Sequence, residues 1–159
     1  MELKTRRLHF AGCTPNPNEQ WMKQIARNLT DPFDGFLLGK RYVLMDRDTK
    51  FCPAFRNILR NEGAEPLLLP PRSPDLNAHL ERFIRSLKSE ALSSMIFFGE
   101  KSLQQAVTVF HEHNHAERNH QGLGNKIIEP GDEVGQIGGN IESRERLGGI
   151  LKNYYRDAA

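Results

Sequence analysis

Cysteine is nearly absent from this sequence: Cys13 and Cys52 are the only two in 159 residues. Two thiols cannot build the disulfide framework that staples small secreted folds, and they suit a reducing compartment. No apolar run approaches the roughly 20 residues needed to span a bilayer. The opening Met1-Glu-Leu-Lys-Thr-Arg-Arg7 lacks the apolar core of a secretory signal. These absences predict a cytoplasmic protein with no membrane partner. An excess of charge of one sign is missing too. The net charge is only +2, so any polyanionic partner must be held by local clusters of Lys and Arg. Trp21, Phe97 and Phe98 read as packing residues rather than platforms for nucleobases. There is no internal repeat.

What is present is ordinary for a globular chain: 38% hydrophobic and 26% charged residues. The length suits one domain with a real core. Loose alternation from Leu3 to Cys13 predicts a strand, broken by Thr14-Pro-Asn-Pro-Asn18, which caps a helix over about Glu19–Leu29. Asp31-Pro-Phe-Asp-Gly35 is a turn. A short buried strand is predicted at Arg41–Met45 and a helix from Pro53 through Arg60, closed by Gly63. Another buried strand follows at Leu67–Leu69. A helix carrying Glu81 runs to about Met95, and a further one starts at Ser102 and covers Leu103 to about Glu117. From Gly131 onward the glycines predict a hairpin around Gly138-Gly-Asn140 and a loosely attached tail. This order of strands and helices indicates an α/β fold.

Two acidic stretches carry the chemical interest. Leu80, Phe83, Ile84 and Leu87 form one apolar stripe of a helix, with Ser73-Pro74-Asp75 as cap chemistry before it. The other face carries Glu81, Arg85 and Lys88, a common solvent-exposed pattern when it stands alone. Upstream, the apolar run Val43-Leu-Met45 ends in Asp46-Arg-Asp48. Acids at a strand end and a helix start can converge on one metal-binding spot.

Tyr42-Val-Leu-Met-Asp-Arg-Asp-Thr-Lys-Phe51 resembles the second-aspartate strand of the retroviral-type integrase core found in insertion-sequence (DDE) transposases. The helix Asn77-Ala-His-Leu-Glu-Arg-Phe-Ile-Arg-Ser-Leu-Lys-Ser-Glu90 is similar to that family's glutamate helix. Asp46 and Glu81 stand 35 positions apart, close to the family's separation. Arg118-Asn-His120, Leu123 and Pro130 are similar to its terminal pattern. The resemblance spans about Leu3 to Pro130. It implies a ribonuclease-H-like core with a mixed sheet over residues 1–130, followed by a Gly-rich hairpin and tail over 131–159. It also implies cutting and joining of DNA by two-metal phosphoryl transfer.

In that reading Asp46 and Glu81 are catalytic and bind Mg²⁺ or Mn²⁺, with Asp48 as a possible further ligand. Hard divalent ions need oxygen ligands, and metals roughly 4 Å apart can serve both the attacking and the leaving oxygen. Arg85, Lys88, Asn77, Arg118 and His120 would meet the DNA.

The sequence departs from the family at three places. Asp48 stands where the family usually has Gly, and Asn114-His115 where it often has Tyr-Asn. The strand carrying the first catalytic aspartate has no counterpart before Glu2. The expectation is therefore a core lacking its first strand and part of its second, inactive alone and prone to associate through an open sheet edge. A partner chain could supply the missing strand and Asp, and the intact form is expected to be a homo-oligomer. The alternative is an inactive remnant that binds DNA or a partner. A rival motif is His111-Glu-His-Asn-His115, which fits the H-E-x-x-H pattern of zinc hydrolases but lacks a well-placed third ligand.

Overall fold

The computed structural model describes residues 1–71 and 74–157, with the side chains of residues 74 and 75 excepted. The cap expected from Ser73-Pro74-Asp75 would rest on Ser73 and on the side chain of Asp75, which lie outside what is described. The chain divides into two compact units, one formed by Ala11–Ala78 and the other by Met1–Phe10 with His79–Ala159.

In the 11–78 unit, α1 (Glu19–Leu29) begins where Asn18 takes an extended conformation and its side chain accepts from the Trp21 N–H at 2.9 Å. That satisfies one of the donors a helix start leaves without a partner. Asp31 Oδ1 accepts from the Phe33 N–H and makes the expected turn. β1 (Tyr42–Met45), α2 (Pro53–Asn61) and β2 (Glu65–Leu68) form a strand–helix–strand unit. The strands run parallel, with Tyr42 opposite Glu65 and Met45 opposite Leu68. Parallel neighbours need a crossover, and α2 supplies it. Pro53 sits at the first turn of α2, where its missing N–H loses no bond. Gly63, at φ +82°, takes the left-handed turn that returns the chain toward β2.

Met22, Ala26, Met45, Phe55, Leu59 and Ala64 form this unit's core. Both strands were expected to be buried, and here the structure corrects the sequence reading. Val43 and Met45 pack on the core, whereas Tyr42, Leu44, Leu67 and Leu68 are exposed. Along β1 the side chains alternate between faces, and the face with Val43 and Met45 packs against residues of α1 and α2.

The other unit contains α3 (Ala78–Glu90), α4 (Gly99–Ala116), β3 (Ile141–Arg146) and β4 (Leu151–Arg156). Leu87, Ala91, Phe110 and Leu151 form its core, with the Phe83 and Phe110 rings 5.8 Å apart. α3 ends at Glu90 and passes into a short 3₁₀ turn, Leu92–Ser94, instead of running to Met95. The Ser89 and Ser93 hydroxyls donate to the carbonyls of Arg85 and Ser89, offering the backbone an alternative to continued helix. α4 starts at Gly99, ahead of Ser102, whose hydroxyl donates to the Gly99 carbonyl. Phe98 is 86% exposed and is not a packing residue.

Two further expectations are corrected. No strand forms over Leu3–Cys13: Arg6 has φ +63°, and paired hydrogen bonds between Glu2, Arg6 and Arg7 fold the segment into a turn. The hairpin β3–β4 pairs Ile141 with Arg156 and Arg146 with Leu151, so it closes at Gly148-Gly149. Both glycines have positive φ. Gly138-Gly-Asn140 instead lies at the hairpin's open end, where the Asp157 N–H donates to the Asn140 carbonyl. Leu151 is buried in the unit's core, so the hairpin is not a loose tail. Among the described residues the strands form two separate two-stranded sheets, β1–β2 parallel and β3–β4 antiparallel, rather than one mixed sheet.

Candidate functional site

Asp46 follows the last residue of β1 and is exposed. Its Oδ1 accepts from the Asp48 N–H at 3.1 Å, and Asp48 Oδ1 accepts from the Lys50 N–H at 2.9 Å. These are two successive turns of the kind Asp forms with backbone two residues on. Asp48 Oδ2 lies 2.7 Å from Lys50 Nζ, and the hydrogen bonds from Lys50 hold its carboxyl below the ordinary value. Asp48 is thus committed to Lys50. Arg47 reaches the other way and donates to the Leu69 carbonyl at 3.0 Å, tying the end of β1 to the end of β2.

Glu81 is exposed in the first turn of α3, and Arg85 and Lys88 are exposed on the same helix. Asn77 ends the short 3₁₀ turn Pro74–Asn77. Asp46, Asp48 and Asn77 belong to the 11–78 unit, whereas Glu81, Arg85, Lys88, Arg118 and His120 belong to the other. Arg118 clasps both carboxylate oxygens of Glu90, and this contact holds the Glu90 carboxyl below its usual value. His120 Nε2 lies 2.8 Å from the Asn114 carbonyl. Among the described residues no group of three or more His, Cys, Asp or Glu side chains is placed to hold a metal ion.

The histidines of the H-E-x-x-H pattern have another occupation. His115 Nε2 accepts from the Leu8 N–H at 2.9 Å, and His111 Nε2 donates to the Leu8 carbonyl at 3.0 Å. Together they satisfy the backbone of a buried residue that has no strand partner. Burial, then the neighbouring His111, lowers the His115 pKa and keeps that ring neutral. Glu112, the would-be general base, is bound by Arg146 at 2.9 Å.

The most heavily engaged carboxylate was not legible beforehand. Glu117 follows α4 with its side chain fully buried, and it accepts from Arg146, Arg144 and His113 at 2.7 to 3.1 Å. Burial pushes its carboxyl up, but the hydrogen bonds from Arg146, His113 and Arg144 prevail and set it at about 2. Arg144 and Arg146 are two apart on β3 and so share a face. That alternation was the available signal, but the sequence does not reveal which acid it meets.

Residues 62–127 match the family model described as Integrase core domain. This part of the chain, which contains Glu81 and all of α3 and α4, is similar to an integrase-type catalytic core. The α/β architecture with small sheets fits a ribonuclease-H-like fold, and the match points to DNA as partner and to integration or transposition as process. The family typically uses divalent metals. Asp46 lies outside the matched interval. No curated protein matches the chain. No helix among the described residues is long and apolar enough to cross a membrane.

Proposed function

We propose that the chain is a DNA-binding, integrase-type core module of an insertion-sequence transposase, and that by itself it neither cuts nor joins DNA. The observation that carries this reading is the Integrase core domain match over residues 62–127, with Glu81, Arg85 and Lys88 presented to solvent on α3. Asp46 and Glu81 are the acids assigned to catalysis in the intact enzyme, with Asn77, Arg118 and His120 as further DNA contacts. The integrase-type part extends to Pro130, and the stretch after it contributes the β3–β4 hairpin, Ile141–Arg146 with Leu151–Arg156. Inactivity of the isolated chain is supported by Asp48, whose carboxylate is already neutralised by Lys50. In the active assembly a partner chain adds a further carboxylate to Asp46 and Glu81. The alternative of a remnant that only binds DNA shares the same interface and lacks that partner.

The test is DNA affinity measured over a salt series, followed by strand joining with Mg²⁺ or Mn²⁺. The chain binds DNA with affinity that falls as salt rises, and Arg85→Ala with Lys88→Ala weakens binding to all sequences about equally. No affinity at low salt sinks the reading. Metal-dependent joining by the isolated chain, abolished in Glu81→Gln, sinks the claim of inactivity.

A further inference from the structure

α3 presents a second set of polar residues on a different side from Glu81, Arg85 and Lys88. His79, Arg82 and Ser86 follow at i, i+3 and i+7, displaced by about 120° around the axis from the Glu81 set. They form one wall of a pocket of about 370 Å³ within the unit made of residues 1–10 and 79–159. A second wall comes from the end of α4 and the segment after it, with Arg118 and His120. Arg6 enters from the chain's opening turn.

The pocket brings three guanidinium groups and two imidazoles to one concavity. Arg118 is neutralised by Glu90. Arg6 is set by its left-handed backbone and by donating through one guanidinium nitrogen to the Leu3 carbonyl. Arg82 and His79 are exposed at the mouth. Desolvation, then the charges of Arg6 and Arg82, lowers the His79 pKa. The field at His79 is therefore positive. An anion is the ligand that such a field attracts, and guanidinium forks match the paired oxygens of a phosphate.

We propose that Arg6, His79 and Arg82 form a phosphate-binding pocket that takes one phosphodiester group of a DNA strand, apart from the Glu81 side of α3. This rests on the reading of the chain as a DNA-binding module. A strand seated there would follow α3 while a neighbouring segment met Arg85 and Lys88. Phosphate contacts of this kind set register and carry no sequence preference.

The experiment measures binding of a short labelled DNA duplex to the full chain over a salt series, for wild type, Arg6→Ala/Arg82→Ala, Arg82→Lys and Arg85→Ala/Lys88→Ala. Thermal unfolding is followed for each. The Arg6/Arg82 double variant is expected to lose roughly tenfold in affinity, and its log–log salt slope to shrink by about one, the share of a single phosphate. Arg82→Lys keeps the charge and retains most of the binding. In wild type the His79 ring resonances move on adding DNA, and in the double variant they do not. Wild-type affinity and slope in the double variant, with Arg85→Ala/Lys88→Ala still weakened, overturn the pocket and leave the proposed function standing. Absence of DNA binding by wild type overturns both. Inorganic phosphate that moves the His79 signals where DNA does not would show a free-phosphate site and overturn the DNA assignment.

Discussion

Glu117 and Asp48 are both carboxylates held below their ordinary pKa by cations, yet they are built in different ways. Glu117 is buried and accepts from His113, Arg144 and Arg146, drawn from α4 and β3. Asp48 is exposed and answers to one cation two residues away, Lys50. The first joins elements far apart in sequence, while the second only shapes a local turn. A strongly perturbed acid is often taken as a sign of chemistry. In this chain the strongest perturbation belongs to a group whose every partner is structural. The candidate catalytic acids Asp46 and Glu81 are exposed instead.

Removing Glu117 is the sharpest way to test that contrast. Glu117→Ala leaves two arginines and His113 without their common partner, and loss of about 4 kcal/mol is expected from breaking a buried ionic group. The measurement is the urea midpoint at neutral pH. The same residue governs acid stability. Its folded pKa of about 2 lies below the ordinary 4.5, so its contribution is present above about 4.5 and is lost as pH falls through about 2. Glu117→Gln should flatten that acid limb, and an unchanged limb would show that other carboxylates control it.

Leu59→Ala applies comparable pressure to the other unit. Leu59 is completely buried in a cluster with Phe55 and Met45. A loss of about 3 kcal/mol is expected from the missing contacts and the cavity left behind. Fluorescence of Trp21, which packs against that cluster, reports the change. Asn18→Ala removes the cap of α1 and costs about 1 kcal/mol, read as a lower urea midpoint by the same probe. The smallest effect is Lys50→Ala, which leaves thermal stability unchanged while the Asp48 carboxyl returns toward its ordinary titration, followed by NMR. A clear drop in unfolding temperature would mean that the Asp48 turn supports more than itself.

The parts of the fold legible beforehand are those whose signals are local. Asn18 capping α1, Pro53 opening α2 and Gly63 closing it follow from backbone chemistry within a few residues. The apolar stripe of α3 was visible at Leu87, although Ile84, on the same stripe, is 40% exposed. Alternation from Leu3 to Cys13 misled because it records which side chains are apolar and not what the backbone bonds to. At Leu8 that backbone bonds to His111 and His115, more than 100 residues away.

By itself, the sequence determined the helices α1 to α4, the two strands on either side of α2, and the resemblance to an integrase core that the family match over residues 62–127 shares, because periodicity, capping and motif spacing lie within short stretches. Only the tertiary structure decided that two histidines of an apparent zinc motif hold Leu8, that Lys50 takes Asp48, and that Glu117 gathers Arg144 and Arg146. It also decided that Arg6 joins His79 and Arg82 in one pocket. Each of these choices pairs a polar group with one of several chemically suitable partners. Long-range packing makes that selection, because burial makes an unmet polar group costly and brings only some of its possible partners within reach.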